Sequence, residues 1–202
     1  FRPLHGTTRL AEDLRDHLVW MLGRAEGTTA KDALTLELAE VESKRLGHPS
    51  VAVDFYGEVL ARTPGHPNAI AALEGMLGEP EQRARVAELL EPAYRSLRSL
   101  RKLSDILEVR LETVEDPPRR VAALREKAAA EVQLARPAEA LDALGRAWLE
   151  DVSDALTLAE LDGLAAAANG WQRLVDILDK GIEATLVPDL RAELYARKAK
   201  VL

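Results

Sequence analysis

Apolar residues recur along this chain at three- and four-residue spacing, and short clusters of Gly, Pro, Ser, Thr and Asn interrupt them. That is the pattern of successive amphipathic helices; no alternating β-branched run argues for a sheet. Thr7 and Thr8 are placed to cap a first helix running to about Arg24, with Leu10, Leu14, Leu18, Met21 and Leu22 on its apolar face. Thr28 and Thr29 open a second, from about Ala30 to Leu46, which Gly47 stops. His48-Pro49-Ser50 forms a turn, with Ser50 capping a third helix to about Arg62. After the break from Thr63 to Pro67, Asn68 caps a short helix carrying Ile70, Leu73 and Leu77. Pro80 begins a longer one, where its missing N–H costs nothing, with a stripe of Val86, Leu89, Leu90, Ala93 and Leu97. Pro92 lies inside that stripe and must kink or divide the helix, because its ring clashes with the Glu88 carbonyl.

The second half continues in the same way. Leu103, Ile106, Leu107, Leu111 and Val114 mark a helix from Leu100 to Val114. Asp116-Pro117-Pro118 opens the next, to about Ala135, and Arg136-Pro137 another, through Leu149. Ser153 or Asp154 caps a helix ending at Asn169-Gly170. Trp171 to Leu186 follows, and Pro188-Asp189 opens the last helix, reaching Leu202 with no stop signal. Short connections force sequential helices to pack antiparallel. No long linker divides the chain, so residues 1–202 read as one continuous all-α domain of about ten to eleven helices.

The chain also repeats itself. Leu103-Ser104-Asp105-Ile106-Leu107-Glu108 returns as Leu174-Val175-Asp176-Ile177-Leu178-Asp179, and Arg120 to Ala128 returns as Arg191 to Ala199. The interval is about 71 residues, roughly two helix-turn-helix units of ~34. The helix with Leu10, Leu14 and Leu18 looks like a third copy, set back by about one extra helix, for which the Pro80–Arg98 segment is the candidate. These features predict a right-handed α-solenoid of antiparallel helix pairs, in which each unit packs on its neighbours.

Ala52, Tyr56, Val59 and Pro64 share their spacing with Ala140, Leu144, Ala147 and Val152. The pattern resembles the second helix of the tetratricopeptide repeat: small residues let a neighbouring helix approach and a large one plugs the gap between them. The first-helix signature differs. Leu36 and Leu124 stand in the Trp position, Ser43 and Glu131 in the Tyr position, and Val152 replaces Pro. The chain therefore resembles divergent, bacterial tetratricopeptide-like proteins, some of them associated with motility machinery. The carboxylate clamp of certain tetratricopeptide domains is not matched, because Asn68 and Asn169 lie at helix ends and Lys is scarce.

Charge and composition narrow the function further. The net charge of −7 disfavours nucleic acid as a partner. Cysteine is absent, which excludes disulfides and thiolate metal sites and leaves cytoplasm as the default compartment. No apolar run approaches the ~20 residues of a membrane span. The first residue is Phe and the last helix, with Leu190, Leu194, Tyr195, Val201 and Leu202, has no cap, so the chain reads as a fragment of a longer array. The alternative is end-to-end self-association through apolar end faces.

Catalytic constellations are not visible. His5, His17, His48 and His66 form no i, i+4 pair, and His48 and His66 sit in Gly-His-Pro turns at opposite ends of one helix. Neither a nucleophile elbow nor a Gly-rich phosphate loop is present, and no cofactor or metal is expected. Trp20, Trp148 and Trp171 read as plugs between helices. The densest basic cluster is Arg95, Arg98, Arg101 and Lys102. On an unbroken helix Arg95, Arg98 and Lys102 would share a face that could dock an acidic segment or phosphate of a partner. The expected function is a non-catalytic scaffold that binds a protein segment in its groove. The runner-up is a regulatory or assembly module of a larger enzyme or motility complex.

Overall fold

A computed structural model describes the backbone of residues 4–201 and the side chains of residues 8–201. His5, Thr7 and Leu202, which the sequence singled out, lie outside the described side chains. Among the described residues the chain is helical throughout and has no strand. The helices are α1 (Leu4–Leu22), α2 (Thr28–Val41), α3 (Pro49–Arg62), α4 (Pro67–Met76), α5 (Pro80–Ser96) and α6 (Leu100–Leu111). They continue with α7 (Pro117–Gln133), α8 (Pro137–Glu150), α9 (Ala155–Ala168), α10 (Trp171–Ala184) and α11 (Pro188–Val201). A π-helical turn, Glu42–Leu46, extends α2.

Proline sets many of the helix starts. α3, α4, α5, α7 and α8 each begin with Pro in the first turn, where the absent N–H has no intrahelical partner to lose. This corrects two expected caps: His48 and His66 occupy the N-cap positions, and Ser50 and Asn68 lie inside α3 and α4. Thr8 likewise lies within α1, and Gly27, at φ 82°, precedes α2. Asp116 and Asp154 do cap. The first accepts from the Arg119 N–H, the second from those of Leu156 and Thr157. Gly47 ends the π turn at φ 73°, as a C-terminal glycine should. Pro92 does not divide α5, which runs unbroken from Pro80 to Ser96 with Pro92 exposed.

The chain forms two compact units, Phe1–Arg98 and Ser99–Leu202. Within each, consecutive helices pack on one another, as in a helical repeat. Second neighbours also touch, α3 with α5 and α8 with α10. The core of the first unit holds Leu38, Val53, Leu73 and Leu90; that of the second holds Leu124, Leu141, Trp148, Leu161, Leu174 and Leu178. Ala52, Tyr56 and Val59, and equally Ala140, Leu144 and Ala147, are buried at helix contacts.

The two units share a plan. An interval of about 88 residues carries α2–α5 of the first unit onto α7–α10 of the second, whereas the 71-residue interval acts within the second unit, carrying α6 onto α10 and α7 onto α11. Specific contacts follow the longer interval. Gly57 lies under the Leu89 side chain, and Gly145 lies under Ile177. Asp54 pairs with Arg85 at 3.6 Å, and Asp142 pairs with Arg173 at 3.2 Å. Asp32 pairs with Arg62 at 2.7 Å, and the matching positions hold the reversed pair of Arg120 with Glu150, at 2.8 Å. Gly47 and Ala135, which end the equivalent helices, both take the left-handed conformation. A buried glutamate near the end of each first helix meets a basic residue at the start of the next helix: Glu42 with His48 at 2.8 Å, and Glu131 with Arg136 at 3.5 Å.

Several apolar assignments change. In α1 the buried face is centred on Ala11 and Leu18 with Leu14 beside them, whereas Leu10 and Met21 are exposed. Of the three tryptophans only Trp148 is a plug. Trp20 and Trp171 are 55 % and 40 % exposed. Trp20 instead contacts near neighbours in sequence, with the Arg24 guanidinium 4.0 Å from the ring centroid and His17 stacked at 5.9 Å.

Candidate protein-binding cleft

The basic cluster does not form a helix face. Arg95 is on α5, Arg101 and Lys102 are on α6, and Arg98 lies in the break between them in the left-handed conformation at φ 52°. All four are exposed, and Arg95 is bonded to Glu91 one turn earlier at 2.8 Å. The histidines are likewise dispersed: His17 stacks on Trp20, His48 bonds Glu42 and His66 begins α4. Among the described residues no three His, Asp or Glu side chains converge on a point that could hold a metal ion.

An open, mostly apolar cleft lies between α7 and α9, with a volume of about 510 Å³. Ala128 and Val132 form the α7 wall, Gly163 and Leu164 the α9 wall, and the buried Leu144 of α8 lies between them. Small side chains create the space. An added Cβ at Gly163 would meet no atom within 4 Å. Arg125 closes one end. Its guanidinium donates to the Thr157 hydroxyl and to both Glu160 oxygens, at 3.0 and 3.1 Å, and lies 3.9 Å from Asp154. The charge of Arg125 is thus matched in place by Glu160, and the lining beside that ion pair is alkyl. Such a slot can take an apolar side chain or one face of a helix. It offers no paired acid and base.

The first unit has a cleft between α2 and the start of α4, of about 410 Å³, which overlaps the equivalent of the α7/α9 cleft only at Glu37 and Glu40. Its character differs. Glu37 stands where the second unit has Arg125, Glu40 stands where it has Ala128, and His66 and Asn68 come from α4. The ends of α2 and α3 hold a polar network. Asp32, buried in α2, accepts from Arg62 and from the Thr63 hydroxyl, both at 2.7 Å, and Arg62 donates to Thr35 at 2.9 Å. Burial pushes the Asp32 carboxyl up, but the bonds from Thr63 and Arg62 more than reverse this and hold it below its ordinary range.

None of Ala128, Val132, Gly163 and Leu164 stood out in the sequence. The one available signal was a glycine in the middle of an otherwise strong helix pattern, which costs helix stability and so marks a position where space matters. No protein-family model matches the chain, and no curated protein sequence does either.

Proposed function

We propose that this chain is a non-catalytic helical-repeat scaffold of the right-handed, tetratricopeptide-like kind, and that it binds a segment of a partner protein. The α7/α9 cleft seats an apolar side chain of that segment. The observation that carries this reading is the cleft itself: open, lined by alkyl groups, with its single cation already matched by Glu160. An apolar slot between first helices of successive pairs is the kind of surface on which helical repeats hold extended or helical peptides.

The test is a selection of displayed random peptides on the intact chain, followed by binding to Gly163→Trp. Gly163 is exposed and its surroundings are open, so the indole fills the cleft without entering the core. Selected peptides carrying an apolar anchor should lose about tenfold or more in affinity, the scale of a central contact residue. Peptides that bind both proteins equally would refute the assignment of the cleft.

A further inference from the structure

The shared plan of the two units exposes a second, separate site. In the second unit, Trp148 of α8 fills the space against α10. It is 1 % exposed, and its ring lies so close to Gly181 that any Cβ there would overlap it. In the first unit the same two positions are Leu60 and Ala93. The aromatic ring is missing, and between α3 and α5 there is an open groove of about 330 Å³. Gly57 and Ala61 line it from α3, and Leu89, Pro92 and Ala93 line it from α5.

We propose that this α3/α5 groove is a docking pocket for an aromatic side chain, Trp above all, presented by a partner protein. The second unit shows what this interhelical space accommodates: an indole carried on α8 and packed flush against Gly181 of α10. The walls suit a flat ring. Gly57 brings α3 close under Leu89, an added Cβ falling 2.9 Å from the Leu89 Cδ2. Pro92, exposed on α5, presents the rigid alkyl edge of its ring rather than a mobile side chain. An aromatic side chain gains more by burial here than leucine does, because it has more apolar area for the same two torsions to freeze. The groove belongs to a different unit from the α7/α9 cleft, so the two assignments stand or fall separately.

The experiment follows methyl resonances of the intact chain by NMR while indole, and then N-acetyltryptophan amide, is added. The expected result is saturable shifts of the Leu60, Ala61, Leu89 and Ala93 methyls, with millimolar affinity for so small a ligand. The variant Leu60→Trp/Ala93→Gly installs the packing of the second unit and should abolish those shifts. The reverse variant, Trp148→Leu/Gly181→Ala, should gain a saturable shift at Ile177. Ala61→Glu changes only an exposed rim residue and should weaken indole binding about tenfold with the helical circular dichroism unchanged, which decides the matter if the repacked variant misfolds. The proposal is overturned if the shifts do not saturate, if they persist in the filled variant, or if leucine amide produces them equally. It is also overturned if the wild-type chain self-associates in a way that the filled variant abolishes, since the occupant would then be a second copy.

Discussion

At the scale of single residues, the glycines separate into two kinds that composition cannot tell apart. Gly163 sits in the middle of α9 and Gly75 in the last turn of α4, both with open space around them, whereas Gly145 and Gly181 are in contact with Ile177 and Trp148. Gly163→Ala should therefore stabilise the chain by about 0.5–1 kcal/mol, because it removes backbone entropy from the unfolded state at no steric cost. Gly181→Ala should destabilise it by about 1–3 kcal/mol, the cost of overpacking against a rigid ring. Urea unfolding of the two variants checks both signs. The same scale sets an acid dependence. Asp32 titrates below its unfolded value near 4, so it contributes stability above that pH and loses it as the pH falls through the lower folded value. Between about pH 5 and pH 2 the unfolding midpoint should fall less steeply in Asp32→Asn than in the wild type.

At the scale of elements, helix number and order were legible because Pro, Gly and the apolar period punctuate the chain strongly. The exact starts were less so, because two signals competed at the same turns. In His48-Pro49-Ser50 and His66-Pro67-Asn68 both a proline and a cap-forming side chain were on offer, and the proline took the first turn. It follows that Ser50→Ala should leave stability within about 0.5 kcal/mol, whereas Asp154→Ala should cost about 1 kcal/mol through loss of its two N–H bonds. Thermal unfolding of the pair distinguishes them. Ion pairing between elements was not legible, because Asp32 and Arg62 lie on different helices and the reversed Arg120–Glu150 pair carries no sequence identity with them. A double-mutant cycle on Asp32 and Arg62 should return a coupling of about 1–3 kcal/mol, above that of an exposed pair, since the aspartate is buried. Coupling near zero would show that the bonds merely coexist.

At the scale of the whole molecule, the repeat was visible in Leu103–Glu108 and its return at Leu174–Asp179, but the longer interval was not. It is carried by contacts such as Gly57 with Leu89 and Gly145 with Ile177, where the residue types match in shape and not in identity. Grooves are harder still to read, since each takes its walls from helices some thirty residues apart and depends on side chains that are small or missing. Val132 and Leu164 look like any other helix residues until α7 and α9 are set side by side. Arg95, Arg98 and Lys102 would share a face only on an unbroken helix, and the left-handed residue Arg98 ends that continuity between α5 and α6. Amide and methyl shift mapping of the intact chain with a selected peptide tests whether a partner segment is held in the α7/α9 cleft. Shifts concentrated on Ala128, Val132, Leu144, Gly163 and Leu164 are predicted. A shift pattern that leaves these residues unmoved while the peptide is bound would contradict it.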